Sequence, residues 1–458
     1  MSAPALPDRA ARRAAGRALR KTLPRSAHGE YEPRPDRTDP VAQVLAREAG
    51  LLPQLLAQRH GRMAGSAFAF LRGTAGLMAD DLSPRPRSGL AVMACGDAHP
   101  GNFGPTADAE GRALFDVIDF DESWQAPFEW DVLRLATGLV LAQAAQTGAK
   151  QTGTAQTGAA RTGTAQTGVA LEPGLAARAA AAYCHQIARL AAHSPLEIWR
   201  SRIALATVLK QQPDRAARQR QQARAAAAVR ARSRNYAHLV STDGRLHLPA
   251  RPGIWRLGAD DATAAGAFAA YRAGLRPELA PLLARYRLAD VAFKAVGVGS
   301  FGVFCALGLF VSGDGDMLVL QLKQARRSVL DAEGDAPHQG ERVVQAQRML
   351  QAAPDPFLGA TQAEGREFYV RALADPRLAG TRDAMAQTDW ALQATLCGRT
   401  LARAHARAAD PVAIAGYLGQ GGAFAQAVAR FAVAYASQVR EDHAAWCAAI
   451  RSGRIEAA

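Results

Sequence analysis

The chain has 458 residues, 49% of them hydrophobic, and a formal net charge of +14. That length suits one large or two moderate domains, at ~100–200 residues each, and the apolar fraction is ordinary for a protein that buries a sizeable core. No apolar run approaches the ~18 residues of a membrane span, and the five cysteines (Cys95, Cys184, Cys305, Cys397, Cys447) have no paired spacing that would mark a zinc site or a disulfide framework. No apolar signal core follows the arginine-rich N-terminus, so a reducing, cytoplasmic setting is expected. The positive charge, nearly all arginine, permits acidic partners such as nucleotides, nucleic acid or anionic membrane, although a solvated basic surface is the simpler reading.

Residues 1–36 mix Arg, Pro and Ala without an apolar period and are expected to form a basic, largely disordered arm. From Pro40 to Leu56 apolar residues recur at helical spacing (Val41, Val44 and Leu45, then Leu51, Leu52, Leu55 and Leu56). Phe68, Phe70 and Leu71 open a second helical run that ends near Leu82. Arg72, inside it, reads as a paired core arginine or, more pointedly, as an arginine close to phosphate. Leu90–Ala94 reads as a short buried strand entering the loop Cys95-Gly96-Asp97-Ala98-His99-Pro100-Gly101-Asn102, and Ala113–Phe120 reads as its hairpin partner, followed by Asp121 and Glu122. Two strands bracketing that loop would bring Asp97, Asn102 and Asp119 to one end of a small sheet. Phosphoryl transfer needs such parts: one carboxylate to orient or deprotonate the attacking hydroxyl, and an amide oxygen and another carboxylate to hold magnesium against phosphates. His99 is expected to bond within its own loop.

Helical pattern covers about Phe128–Ala145. A Gln-Thr-Gly or Arg-Thr-Gly repeat follows, with glycines at 148, 153, 158, 163 and 168. Its period of five fits neither helix nor strand, and it offers too little apolar surface to offset ordering, so a disordered insertion is expected over 146–170. Helices resume from Leu175 to about Leu209. The Ala/Arg-rich stretch Arg215–Arg234 reads as a helix with a solvated face, because a nucleic-acid surface would interleave aromatics and none occurs before Tyr236. Turn residues at Ser241–Gly244 and Pro249–Gly253 mark a boundary, and a further helix covers Ala262–Ala273.

Val296-Gly297-Val298-Gly299-Ser300-Phe301-Gly302 has GxGxxG spacing, a weak signal that also opens dinucleotide sites. A dinucleotide loop should run straight into a helix. Here Val303–Val311 continues as a strand, Ser312–Asp316 turns, and a third strand, Met317–Leu322, ends on Lys323. Strand, glycine loop, strand, turn, strand, lysine is the order of a protein kinase. Its loop covers the phosphates and its lysine reaches them. Gly297, Gly299, Ser300 and Gly302 are therefore the candidate phosphate cover. Lys323 is the candidate phosphate ligand, and Glu341, opening the helical pattern Glu341–Leu350, is its expected ion-pair partner. Glu367–Leu373 reads as a strand and Asp389–Ala406 as a helix, near whose end His405 is expected to be structural.

The run Gly96–Asn102 resembles the catalytic loop of the aminoglycoside and choline kinase group, within the protein-kinase-like fold. The resemblance implies Asp97 as catalytic base, Asn102 as a magnesium ligand, and Asp119 as the metal aspartate of the kinase Asp-Phe-Gly position. Asp121 stands where that glycine would be, as a second metal ligand or a helix cap. Pro127–Ala136 is similar to the helix that follows in those kinases, which implies that Asp131 braces the loop from below. Leu396–His405 resembles the helix that leads into the catalytic loop, yet here that loop lies far earlier. The parts occur in rotated order. The expectation is an α+β, protein-kinase-like two-lobe fold, circularly permuted. It has a helical lobe at 37–285, a β-rich nucleotide lobe at 286–380, and helices at 381–458 packing back on the first. In stretches from Arg62 to His405 the chain also resembles the bacterial family called domain of unknown function 2252. Together these imply an ATP- and magnesium-dependent phosphotransferase for an unspecified hydroxyl- or amine-bearing acceptor. The alternatives are AMP transfer from the same site, and a non-catalytic nucleotide-binding or basic nucleic-acid-binding protein.

Overall fold

The computed structural model describes residues 7–108, 110–151, 169–210, 254–255, 259–295, 301–373 and 389–458. Asp8 caps the first helix, α1 (Arg9–Ala18), by accepting from the Ala11 amide at 2.7 Å. Asp39 caps α2 (Pro40–Ala46), α3 (Leu56–Ala64) follows, and Ser66 caps α4 (Ala67–Gly73). The run expected to continue to Leu82 breaks at Thr74, whose hydroxyl donates back to Phe70 O (2.8 Å) and ends α4. A separate helix, α5 (Ala75–Leu82), begins there.

Two antiparallel ribbons follow. β1 (Ala91–Ala94) pairs with β4 (Trp124–Pro127), and β2 (Phe103–Ala107) pairs with β3 (Ala113–Val117). The pairing expected between Leu90–Ala94 and Ala113–Phe120 is thus replaced by two others. β3 closes on the strand just before it, which requires the shorter loop. The consequence expected for the site is unchanged, because the loop after β1 and the turn before β4 still meet at one end. Four helices come next: α6 (Phe128–Gln151), α7 (Gly174–Leu190), α8 (Pro195–Arg200) and α9 (Leu205–Lys210). Residues 146–151 complete α6. The Gln-Thr-Gly repeat from 152 to 168, the Arg215–Arg234 helix and the boundary turns at 241–253 lie outside the described residues.

A mixed α+β architecture is completed by a six-stranded antiparallel sheet. Its strands are β5 (Ile254–Trp255), β6 (Tyr286–Lys294), β7 (Cys305–Ser312), β8 (Met317–Gln324), β9 (Gly359–Ala363) and β10 (Arg366–Ala372), in the spatial order β5-β6-β7-β8-β10-β9. Phe268 and Tyr271 of α10 (Ala259–Ala273) pack on Phe310 and neighbouring apolar residues of one sheet face. A single turn, α11 (Ala280–Leu283), precedes β6, and α12 (Gln339–Leu350) joins β8 to β9. The chain ends with α13 (Trp390–Ala408), α14 (Pro411–Leu418) and α15 (Gly422–Arg451), which pack against α6 and α7 around Phe128, Tyr183, Leu401 and Phe424.

The expectation of a disordered arm is corrected over residues 7–36. α1 lies on α14 so closely that a Cβ on Gly16 would sit 1.9 Å from Ala413 O, and one on Gly416 2.3 Å from Arg13 O. The arginines that suggested solvation bind backbone and acid instead: Arg12 meets Asp410 (2.9 Å), Arg20 Nε donates to Tyr417 O (2.8 Å) and Arg25 to Leu418 O (2.8 Å).

Arg403 on α13 shows how the halves are joined. It pairs with Asp116 of β3 and donates to Leu350 O at 2.7 Å, with Arg403 and Asp116 both essentially inaccessible. Arg403→Leu, which leaves Asp116 buried without its cation, is expected to lower unfolding free energy by about 3–5 kcal/mol. Arg112→Leu, which removes a solvent-exposed guanidinium and leaves Asp108 paired with Arg202 (3.1 Å), should change stability far less. Urea denaturation of both variants checks the contrast.

Candidate functional site

The loop after β1 is fixed from beneath by one carboxylate. Asp131, in the first turn of α6, accepts from the Cys95 amide (2.6 Å) and the Gly96 amide (3.0 Å), and His405 Nε2 lies 3.1 Å from the same Oδ2. The other His405 nitrogen meets Tyr183 Oη at 2.9 Å. Gly96 has φ +79°, and a Cβ there would fall 2.1 Å from Glu122 O. Only glycine lets this loop press against the turn that carries Asp119 to Glu122.

Asp97 is held from the side. Arg134, one turn after Asp131 on α6, places Nε (3.0 Å) and Nη2 (2.8 Å) on Asp97 Oδ1. His99 Nδ1 accepts from the Gly101 amide (3.0 Å), and its Nε2 lies 3.5 Å from Asp97 Oδ2. Burial, with Arg72 and Arg134 nearby, keeps this imidazole well below its usual pKa and neutral. Burial also raises the Asp97 carboxyl above its ordinary value, against the pull of Arg134 and Arg72. Asn102 Nδ2 donates to Asp97 O at 2.9 Å, which orients the amide and leaves Oδ1 as its acceptor on the cleft.

Lys323, at the end of β8, ion-pairs with Asp121 Oδ2, and Tyr369 Oη of β10 donates to Asp121 Oδ1 at 2.7 Å. Burial alone would raise the Asp121 carboxyl, but Lys323 and Tyr369 hold it at about 2. Burial would lower the Lys323 ammonium, and the Asp121 carboxylate beside it reverses that and raises it. Asp119 is raised by burial and by Asp121, with Lys323 and Arg371 opposing. Asp97, Asn102, Asp119 and Asp121 all line one cleft of about 570 Å³, with Lys323 directly behind Asp121. Sequence segments 202 positions apart therefore form one site.

Two further expected parts are the glycine loop and Glu341. Gly297, Gly299 and Ser300 lie outside the described residues, while Gly302 is seated beside the cleft at φ +98°, its carbonyl accepting from the Leu52 amide (2.8 Å). Glu341 is not the partner of Lys323. It is exposed in the first turn of α12, its amide donating to His338 Nδ1 (3.2 Å), and it borders a separate cavity near Tyr271 and Arg348. The buried face of α12 instead carries Arg342, Val343, Ala346 and Leu350. Arg342 donates to Ser123 O, Asp121 O and Arg326 O, each at 2.7 Å. Asp121 takes the pairing that had been expected of Glu341.

Several participants carried no assignment in the sequence. Arg134 was legible in principle, since it follows Asp131 by three positions and so shares its helix face. Glu122 accepts from the Val329 amide (2.7 Å), and burial pushes its carboxyl up to about 7. Arg59 lies buried on the far wall, on Glu48 (3.3 Å) and Gly73 O (3.0 Å), and nothing local to its helix pointed there.

Among the described residues no three His, Cys, Asp or Glu side chains form a self-sufficient metal site. A magnesium ion that arrives with phosphates needs only one or two carboxylates and hard oxygen donors. Asn102 Oδ1 and Asp119 fit that requirement. Asp121, engaged on both oxygens, fits better as the group that positions Lys323.

A family model described as "Uncharacterized protein conserved in bacteria (DUF2252)" matches residues 51–449, and the chain belongs to that family. No curated protein and no solved structure matches it.

The Lys323–Asp121 pair gives a pH signature. Asp121 sits at about 2 in the fold against 3.8 ordinarily, so its contribution is fully present above about pH 4 and is lost as pH falls toward 2. Lys323→Met should lower stability by about 3 kcal/mol at pH 6, the low end for a broken buried pair because Asp121 keeps some solvent access. The deficit should shrink at pH 3. Urea midpoints of the variant and wild type at the two pH values test this.

Proposed function

We propose that this member of the family is an ATP- and magnesium-dependent phosphotransferase with kinase-like chemistry, built on a circularly permuted two-lobe frame. The observation that carries the reading is the pairing of Lys323 with Asp121 directly behind the cleft that Asp97, Asn102, Asp119 and Asp121 line, although the two segments are in the reverse of kinase order. The permuted frame has separate support. α13, the helix that would lead into the catalytic loop in small-molecule kinases, lies beneath that loop and holds it through His405 and Asp131, 274 positions apart.

Each side chain then has a task. Asp97, raised by burial and oriented by Arg134, would accept the proton of the acceptor group as it attacks. Asn102 and Asp119 would hold magnesium, which neutralises charge on the phosphates. Lys323, kept protonated by Asp121, would meet those phosphates. Val303, on the cleft's edge, would help to exclude water. Rate acceleration in such a site comes chiefly from positioning and from charge placed in advance.

Calorimetry of ATP·Mg binding tests the nucleotide half. Wild type should bind at micromolar levels, and Asp119→Ala and Lys323→Ala should each weaken binding at least tenfold. Asp97→Asn should bind ATP·Mg normally while phosphoryl transfer falls about 10²–10⁴-fold, the usual contribution of a positioned base. Wild type that binds no ATP·Mg, or variants that bind as wild type does, would sink the reading.

A further inference from the structure

The helix α3 contributes to one wall of the cleft, because it carries Arg59. A helix of nine residues holds itself weakly, and its outer side is covered by residues that follow α15. There the chain turns back through Gly453, at φ +74°, and residues 454–458 lie on α3. Ala458 N donates to Ala57 O (2.9 Å), and a Cβ on Gly61 would fall 2.1 Å from Ala458 O. Ile455 is buried in the main core. Arg454 meets Asp39 (3.0 Å) in the open, where such a pair adds little.

His60 of α3 joins this tail to the interior. Its ring is nearly inaccessible, with Nδ1 2.6 Å from Glu456 O and Nε2 3.1 and 3.0 Å from the two oxygens of Glu48. One partner is a backbone carbonyl, and the other is a carboxylate that also accepts from Arg59 (3.3 Å). Neither has a proton to give. A neutral imidazole has one N–H, and only the imidazolium has two. Both bonds therefore exist together only while the ring carries its charge. Burial alone would lower the pKa of His60. The bonds to Glu48, on the turn after α2, and to Glu456 O reverse that, against Arg59 as well, and leave it raised. The remaining neighbour, Trp446 of α15, is uncharged. Its ring stands T-shaped to the imidazole with centroids 5.3 Å apart, and its Nε1 donates to His60 O (3.3 Å).

We infer that His60 is a proton-dependent latch: charged, it fastens residues 454–458 to α3, and neutral, it lets them go and loosens the cleft wall that bears Arg59. Of its two acceptors the carboxylate is the stronger, so the single N–H of the neutral ring stays on Glu48. Nδ1 then turns a lone pair toward Glu456 O, and two acceptors at that distance repel. Because the folded-state value is raised, the latch is fully closed below about pH 6.5 and opens as pH rises through that raised value. The device needs only this contact, and it stands whether or not the cleft transfers phosphate.

Hydrogen exchange of the whole chain at pH 6 and pH 9, with rates corrected for intrinsic base catalysis, reads the latch. In wild type, the amides of residues 454–458 and of α3 should lose about tenfold or more protection at pH 9, while those of α6 keep theirs. His60→Gln, which offers a single donor, should show the low protection at both pH values. Glu48→Gln keeps an acceptor oxygen but removes the charge, so the His60 ring, followed by NMR, should titrate about one unit or more below its wild-type value. If His60→Gln fails to fold, as seen by circular dichroism, the wild-type exchange and the Glu48→Gln titration decide. Equal protection at the two pH values, an equal fall in His60→Gln, or a wild-type ring that titrates below 6.5 would each overturn the latch. A tail freed at pH 9 over an α3 that keeps its protection would overturn it too, since the wall would then not depend on the tail.

Discussion

Everything at the cleft depends on the first turn of α6. Two carboxylates there hold the two ends of one short strand. Glu129 accepts from the Ser88 amide (2.7 Å) and hydroxyl (2.8 Å) ahead of β1, and Asp131 accepts from Cys95 and Gly96 after it. Both are nearly inaccessible to solvent. Buried carboxylates are costly unless their oxygens are satisfied, and the positive end of the helix dipole adds to the backbone donors. The loop bearing Asp97 cannot shift without taking both backbone donors from the buried Asp131, which would keep only His405. Arg134 extends the same brace by one turn, so a single helix sets both the backbone of the loop and the orientation of its carboxylate.

The second constraint joins the site across the chain. Lys323 and Asp121 are close, well screened from water and supported by Tyr369, and each holds the other in its charged form. Arg342 reinforces the pair through the backbone, donating to the carbonyl of Asp121 itself and to that of Arg326 beyond Lys323. The sheet with Lys323 and the turn with Asp119 and Asp121 therefore meet through an ion pair and a carbonyl clamp together.

Local signals made much of this legible. The catalytic-type loop, the aspartate turn, the lysine at a strand end and the helices around them follow from short motifs and from apolar period, and the structure brings Asp97, Asn102, Asp119, Asp121 and Lys323 to one place. What the sequence hid was set by long-range choice. Whether β1 pairs with β3 or β4 turns on loop closure, which apolar patterning does not report. The docking of α1 on α14 depends on two glycines meeting a facing backbone, an arrangement that composition reads as disorder. Glu341 was assigned to Lys323 by count along the chain, but its neighbour Arg342 faces inward, and one residue is a turn of about 100° on a helix.

That one-residue rotation bears on how the proposed enzyme would be controlled. In protein kinases the lysine–glutamate pair is a control point, because moving the helix that bears the glutamate breaks it. Here the partner of Lys323 lies on the aspartate turn, two residues after Asp119, and α12 contributes an arginine with three carbonyl acceptors. Withdrawing α12 would leave those three carbonyls without their donor, a cost of about 1–3 kcal/mol for each one that stays buried. The ion pair itself would remain, since neither of its members is on that helix. Control by helix displacement is thus built out of this arrangement. Access to the cleft is left to the segment along its edge, the Gln324–Ala332 strap fastened to Glu122 by the Val329 amide and the Ser328 hydroxyl.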